Sequence, residues 1–395
     1  MTGGAVPALG RRWWLWPLAV ALVALAVWPL VETWLTNADD QRLVDLDVYR
    51  TGGQMVLEGR PVYDFFTPAP QLLPFTYPPV AALLAVPLAW MSWETAQWVW
   101  TAGIYAALAV TVGFAFRPVV NRNPLVFAFL MVACAYLMPI RDQVRFGQVD
   151  ILLVALCLAD CAAKRPWWPR GLLIGLATAV KLTPGVFLIY LLVTRQWKTF
   201  WMATFSTALF TLMPFAVIPR DAVDFWFRAL LDPERLGANA ATTNQSMRGM
   251  LIRLYLDPTL TSVLWIALVA VVGWYGFRFA RQALDRGDLM TSVALVGLMA
   301  VLLSPVAWIH HLAWVVVVLG ALVGNGHDVV RLRVAVGVWL YYVLPIPWWG
   351  VAIKAAEIPV VSPVVGKIVQ NAFGLGAVAL VWLLGVWLPK RRQIL

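Results

Sequence analysis

The chain has 395 residues, 62% of them hydrophobic and only 13% charged, with 23 Trp, 26 Pro and a net charge of +10. Those proportions exclude a soluble globular domain and describe a polytopic membrane protein whose positive excess anchors one face against anionic lipid. Nothing supports nucleic-acid binding, and Cys134, Cys157 and Cys161 all fall in apolar stretches, which argues against an extracellular disulfide framework or a cysteine metal site.

Behind Arg11 and Arg12, the run WWLWPLAVALVALAVWPLVETWL is too long for a signal peptide, lacks a small-residue cleavage site and precedes many further apolar runs. It predicts a first transmembrane helix. Residues 36–77 then interrupt the apolar chain and carry Asp45 and Asp47. Within them, 47–58 predicts a short amphipathic helix on the membrane surface with Val48, Met55 and Leu57 as its apolar residues, and Asp45 is placed to cap its start. The paired prolines of FTYPP close this loop, and the short apolar stretch 78–91 reads as a re-entrant or interfacial helix.

Apolar spans follow at 95–116, 124–140 and 151–161. The stretch 171–194 is broken by Lys181, Thr183 and Pro184, which predicts two short helices in a hairpin with Lys181 near the turn. Beyond a span at 200–218, the segment 221–255 contains DFWFRAL, read as a second interfacial helix, and the polar NQSMRGML. Spans at 260–275, 289–306, 312–323, 334–345 and 368–388 complete an all-α protein of about twelve spans, ten being the alternative. No soluble domain or repeat interrupts it, so 1–395 is read as a single integral membrane domain.

Basic residues gather at alternate ends of these spans, from Arg11 and Arg12 through Arg117 and Arg122, Lys164, Arg165 and Arg170, to Lys390, Arg391 and Arg392. These clusters hold about 17 of the Lys and Arg residues and only about four of the acids, so the positive-inside rule makes them and both termini cytoplasmic. A plasma-membrane protein results in which DLDVYR, FTYPP, RFGQVD, NQSMRG and SPVAWIHH all face the extracytoplasmic side. That convergence on one face points to a site there.

Asp45 is the candidate general base and Asp47 the weaker one, although either acid also suits a helix cap or a solvated loop. Tyr49 shares their motif, and Tyr77 can stack on a sugar and donate its hydroxyl. In RFGQVD, Gly147 permits a close backbone approach, Arg145 and Gln148 are candidate substrate ligands, and Asp142 or Asp150 can serve as the arginine's partner. Lys181 inside a broken apolar hairpin is a functional candidate by its cost alone, and His310 and His311 offer N–H donors to a phosphate. Asn244 of NQSMRG is a candidate for binding hydroxyls. Zinc is not expected, because adjacent histidines on a helix point to different faces and no H-E-x-x-H pattern is present.

The ordered set DLDVYR, EGRPVYD, FTYPP, RFGQVD, GLATAVKLTP, NQSMRG and LLSPVAWIHH resembles glycosyltransferase family 87, polyprenol-phosphate-dependent mannosyltransferases of actinobacteria with the membrane-embedded GT-C fold. The resemblance implies an inverting enzyme that moves mannose from polyprenyl-phosphate-mannose to the 2-hydroxyl of a terminal mannose on a phosphatidylinositol mannoside, forming an α-1,2 bond. It puts the general base of the first extracytoplasmic loop on Asp45 and makes RFGQVD the nearest counterpart of an Arg and acid pair near the donor. No cofactor is expected and a metal is unnecessary if Lys181, Arg145 and the histidines neutralise the phosphate. The alternatives are an α-1,2 branching enzyme of lipomannan and, from another class, a lipid-linked sugar flippase or transporter, for which the essential charges belong at mid-bilayer.

Overall fold

The first apolar run forms α1 (Leu15–Leu35), and the polar loop after it folds onto α2 (Val44–Leu57). The structure is a computed structural model that describes residues 14–393 apart from 122, 233, 234 and 236, and apart from the side chains of 39, 392 and 393. Arg11, Arg12 and Arg122 of the basic clusters therefore lie outside the described residues, as does the side chain of Arg392.

Helix α2 begins three residues earlier than expected, so Asp45 sits in its first turn and does not cap it; Leu43, with φ 45°, stands at the cap with no side-chain bond. Val48 and Met55 are buried as expected, but Leu57 is exposed. Helix α2 packs along α3 (Pro79–Ala89), where a Cβ on Gly53 would lie 2.6 Å from the Ala85 carbonyl oxygen. Helix α4 (Trp93–Ala115) follows, capped by Ser92, and the single turn α5 (Arg117–Val120) leads to α6 (Pro124–Ala135).

The span expected at 124–140 is not one straight helix. It bends by 77° between α6 and α7 (Met138–Phe146), because Pro139 at the start of α7 cannot continue the hydrogen-bond ladder of α6. Gly147 then ends α7 at φ 74°, and a Cβ there would come within 2.8 Å of Leu46 Cβ. Only glycine lets this corner touch α2.

After α8 (Asp150–Ala162), the broken stretch has the expected form: α9 (Leu172–Val180), an extended Lys181, a 3₁₀ turn Thr183–Gly185 and α10 (Val186–Val193). Gly171 lies against Thr199 and Ala203, and Gly175 against Ser206, so α9 runs parallel to α11 (Trp197–Val217) while α10 returns to that helix's start. The two are a hairpin with Lys181 near its tip. Helix α12 (Pro219–Phe227) forms where a second interfacial helix was expected, and its Asp221 accepts the Val62 N–H at 2.7 Å, tying the two polar loops together.

Helices α13 (Met247–Ile252), α14 (Pro258–Asp285) and α15 (Leu289–Leu302) follow. Most of α15 is buried, which is why its sequence is apolar on every side. A 3₁₀ segment, Ile309–Trp314, leads into the equally buried α16 (Val315–Val323). Helix α17 (Val329–Val343) bends by 50° into α18 (Ile346–Ala355), which pairs with α19 (Val361–Gln370) in a hairpin that the sequence did not announce. Helix α20 (Ala372–Trp382) continues through a π turn into α21 (Leu388–Gln393), an apolar run that ends in the basic Lys390 and Arg391.

Every named element is helical, with no strand among the described residues. Five helices are long and apolar enough to cross a membrane, or seven if each bent pair counts as one span. A count near twelve is therefore not reached by length; it needs shorter apolar helices such as α3, α10, α15 and α16 to cross as well.

Candidate active site

A cavity of about 900 Å³ opens where the first turn of α2, the end of the first loop, the α7–α8 corner, the tip of the α9–α10 hairpin and the 304–311 segment meet. Six of the ten candidate residues line it: Asp45, Tyr77, Gln148, Lys181, His310 and His311. Two polar groups organise its wall.

The first is built around Gln148. Tyr49 lies one helical turn beyond Asp45, and its hydroxyl donates to Gln148 Oε1 at 3.1 Å while meeting the Tyr77 hydroxyl at 2.9 Å. Tyr77 donates to the same oxygen at 3.2 Å. With Oε1 taken by two hydroxyls, the amide N–H of Gln148 is the group left to face Asp45, where it favours the ionised carboxyl. The Trp100 indole donates to the Gly147 carbonyl at 2.7 Å and holds the corner that presents Gln148. Burial pushes the Asp45 carboxyl up to about 7, against the opposing pull of Gln148 and of the Lys181 charge. Its side chain still keeps a partly exposed face toward the cavity.

The second group is built around Asp150, only 6% exposed at the start of α8. Lys181 Nζ donates to its Oδ1 at 2.8 Å, and the Nε2 atoms of His310 and His311 each lie 3.8 Å from its carboxylate. Gln143 sets the histidine segment by donating to the His310 carbonyl at 2.8 Å. Lys181 Nζ also sits 5.2 Å from the Tyr77 ring centre, which joins the two groups through a cation–π contact. Asp150 Oδ2, His310 Nε2 and both ring nitrogens of His311 are buried without a hydrogen-bond partner among the described residues. Buried polar atoms in that state call for a ligand or water.

Zinc was not expected at adjacent histidines, but their geometry differs from that of an α-helix. The adjacent histidines do not diverge, because the segment is 3₁₀ and both Nε2 atoms converge on Asp150, with the three ligand atoms within 4.8 Å of one another. The donor types suit a divalent cation. Yet the Lys181 ammonium already occupies one oxygen of the same carboxylate and would repel a divalent cation by roughly 8 kcal/mol at 4 Å and an effective dielectric of about 20.

Four candidates are not brought to the cavity wall. Tyr49 stands behind it, supporting Tyr77 and Gln148. Asp47 faces Thr51, 3.5 Å away, because the 100° step per residue turns it from Asp45's direction. Arg145 is exposed and stacks on its neighbour Phe146, 5.1 Å away, so it pairs with neither Asp142 nor Asp150. Asn244 is fully buried: it donates to the Asn239 carbonyl at 2.9 Å and accepts from the backbone of Ala307 at 3.1 Å and Ser246 at 3.2 Å. Its role in the fold is to clamp the second loop to the histidine segment, with Gln245 N–H bonded to the Ala307 carbonyl at 2.7 Å. Arg253, 1% exposed, completes the clamp through Ala241, Asn244 and Asn371.

The sequence reading missed Asp150 as the hub of the cationic group, having given it only as a partner for an arginine. The signal available was an acid opening an apolar helix, which needs a buried counter-charge such as Lys181.

The profile of glycosyltransferase family 87 matches residues 75–305, a range that contains Tyr77, Gln148, Asp150 and Lys181 and stops short of Asp45 and the histidines. The chain is 37% identical over 303 residues, 70% of its length and 68% of the relative's, to the polyprenol-phosphate-mannose-dependent alpha-(1-2)-phosphatidylinositol mannoside mannosyltransferase of Mycolicibacterium smegmatis. It is 35% identical over 338 residues to the protein of that description from Mycobacterium tuberculosis, covering 80% of the chain and 78% of the relative. A phosphatidylinositol pentamannoside mannosyltransferase of Mycolicibacterium smegmatis is 31% identical over 359 residues, 87% of the chain and 84% of the relative. No solved structure matches. With a profile match over more than half its length and such relatives along most of it, the chain belongs to glycosyltransferase family 87 and is a membrane glycosyltransferase.

Proposed function

We propose that the protein transfers mannose from polyprenyl-phosphate-mannose to the 2-hydroxyl of a terminal mannose on a phosphatidylinositol mannoside, with inversion, to form an α-1,2 bond. The observation that carries this reading is one cavity with a carboxylate on one wall and, on another, a lysine with two imidazoles that retain buried nitrogens without a hydrogen bond. The relatives' names supply the donor and acceptor.

In this mechanism Asp45 takes the proton of the acceptor hydroxyl as its oxygen attacks the anomeric carbon. The bond from that carbon to the phosphate oxygen breaks, and polyprenyl phosphate leaves with the electron pair. A base with a carboxyl near 7 is matched to neutral pH, where it is half ionised and still basic enough to accept a proton. Gln148, its amide orientation set by Tyr49 and Tyr77, holds the carboxylate. Lys181 and the N–H groups of His310 and His311 meet the charge that grows on the phosphate, with Asp150 keeping all three in place. No metal is needed in this scheme.

The proposed setting is a GT-C fold of about twelve spans in the plasma membrane, both termini cytoplasmic and the cavity extracytoplasmic. Purified protein supplied with mannosyl-phosphoryl-polyprenol and short phosphatidylinositol mannosides should give a product one hexose heavier with a 2-linked mannose. Donor that crosses a vesicle membrane with no new glycosidic bond would instead establish the flippase reading.

A further inference from the structure

Five aspartates are buried among the described residues: Asp142, Asp150, Asp160, Asp221 and Asp328. Four of them are satisfied within the protein. Asp150 takes the Lys181 ammonium, and Asp221 accepts the Val62 N–H. Asp160 accepts the Trp168 indole N–H at 3.0 Å and the backbone N–H groups of Gly171 and Ile174 at 2.9 and 3.0 Å. Asp328 caps α17 and holds Arg391. Asp142, 8% exposed in the middle of α7, has neither a hydrogen bond nor an ion pair with any described residue. Its own helix supplies two arginines, Arg141 beside it and Arg145 nearly one turn on, and their charges act on it. Neither closes to an ion pair, because Arg141 is exposed and Arg145 turns outward over Phe146. A buried carboxylate left this way costs stability unless a group from outside the chain completes it.

The place of Asp142 decides what that group is. It lines the same cavity as Asp45. The end of its helix touches the first turn of α2, where a Cβ on Gly147 would lie 2.8 Å from Leu46 Cβ. The Asp142 charge bears on Asp45, and it is not among the charges that act on His310 or His311. Asp142 therefore belongs with the base and not with the imidazoles. An ionised carboxylate offers only acceptor lone pairs and repels a phosphate, so its complement is an uncharged group rich in O–H donors. Hydroxyls on adjacent carbons of a sugar ring suit its two oxygens.

Resting on the mannosyl-transfer reading, we propose that Asp142 is a ligand of the acceptor's terminal mannose, its carboxylate accepting hydrogen bonds from ring hydroxyls other than the one that Asp45 deprotonates. With the reacting hydroxyl on Asp45 and its neighbours on Asp142, the ring is held at two points. The position of those neighbouring hydroxyls then selects which sugar can be extended. The stability given up by an unpaired charge returns on binding as charge-assisted bonds to the substrate.

The test is initial-rate kinetics on the purified full-length protein, using phosphatidylinositol mannosides whose terminal mannose is intact or lacks its 3-, 4- or 6-hydroxyl. Asp142→Asn should raise the acceptor KM about tenfold or more and leave the donor KM in place. It should also keep or raise the melting temperature, because it removes a buried charge that no described residue compensates. In the wild type at least one deoxy acceptor should lose about tenfold or more in kcat/KM; Asp142→Asn and Asp142→Ala should each shrink that loss to about threefold or less, since the partner of the missing hydroxyl is already gone. Equal losses in the wild type and both variants, an unchanged acceptor KM, or a rise in donor KM instead would overturn the proposal. So would a lower melting temperature in both variants, which would make Asp142 a structural residue, or turnover abolished at an unchanged acceptor KM, which would place it on the reacting atoms. A wild-type protein that makes no product with any mannoside acceptor would overturn the transfer reading itself, an outcome distinct from losing this ligand alone.

Discussion

Asp45→Asn separates catalysis from stability in opposite directions. Asparagine keeps the size of the side chain and leaves untouched the bonds that Gln148 accepts from Tyr49 and Tyr77, so those residues and the α7–α8 corner have no reason to move. It cannot accept the acceptor's proton, and turnover should fall by ~10²-fold or more. The same substitution removes a carboxylate that burial holds up at about 7 against an ordinary value of 3.8. The folded protein binds this proton more tightly than the unfolded chain, so wild-type stability is lost as pH rises from about 4 through about 7, and is fully present below that window. A displacement of that size corresponds to about 2–4 kcal/mol at pH 8, the lower figure allowing for the carboxylate's opening onto cavity water. Asp45→Asn should therefore be nearly inactive yet melt higher than wild type at pH 8, with the difference vanishing near pH 4. In the wild type, kcat/KM should fall as pH drops below about 7. Turnover close to wild type in a folded Asp45→Asn would refute the base assignment, and its loss in Asp47→Asn instead would move the base two residues along.

Lys181→Gln and His311→Ala should raise the donor KM strongly and leave the acceptor KM in place, because each removes a donor to the phosphate; unchanged donor saturation in both would return these residues to a structural role. Asp150→Asn should lower kcat about tenfold or more and destabilise the fold, since Lys181 loses its buried counter-charge, and chemical denaturation with donor kinetics reads both. Gly147→Ala should cost about 1–3 kcal/mol, as φ 74° and the 2.8 Å approach to Leu46 leave no room for a methyl, and it should slow turnover by displacing Gln148. Cysteines placed at Thr51 and Ala238 should label from outside intact cells and one at Gly287 should not; labelling of Gly287 alone would invert the orientation.

Much of this protein was legible without coordinates. Water exclusion from an apolar chain forces helices, so composition alone was sufficient for an all-helical membrane protein, and α1, α4, α8, α11 and α14 lie where uninterrupted apolar runs place them. Local chemistry also announced the break at Lys181, since a charge followed by proline cannot continue an apolar helix. The same local logic failed where contacts between distant segments decide: the α18–α19 hairpin and the burial of α15 depend on which helix packs against which. The site divides in the same way. Asp45, Tyr77, Gln148, Lys181 and the histidine pair could be nominated by residue type and by their common face, but Asp47, the same acid two residues along α2, faces Thr51, and Arg145 turns outward over Phe146. Asn244 looks like a sugar ligand in sequence and is a clamp in space. Asp150 looks like a local ion partner and is the hub of a charge cluster. Residue type determines what a side chain can do, whereas direction and neighbours are set by packing between segments far apart in the chain, and only the tertiary structure holds that information.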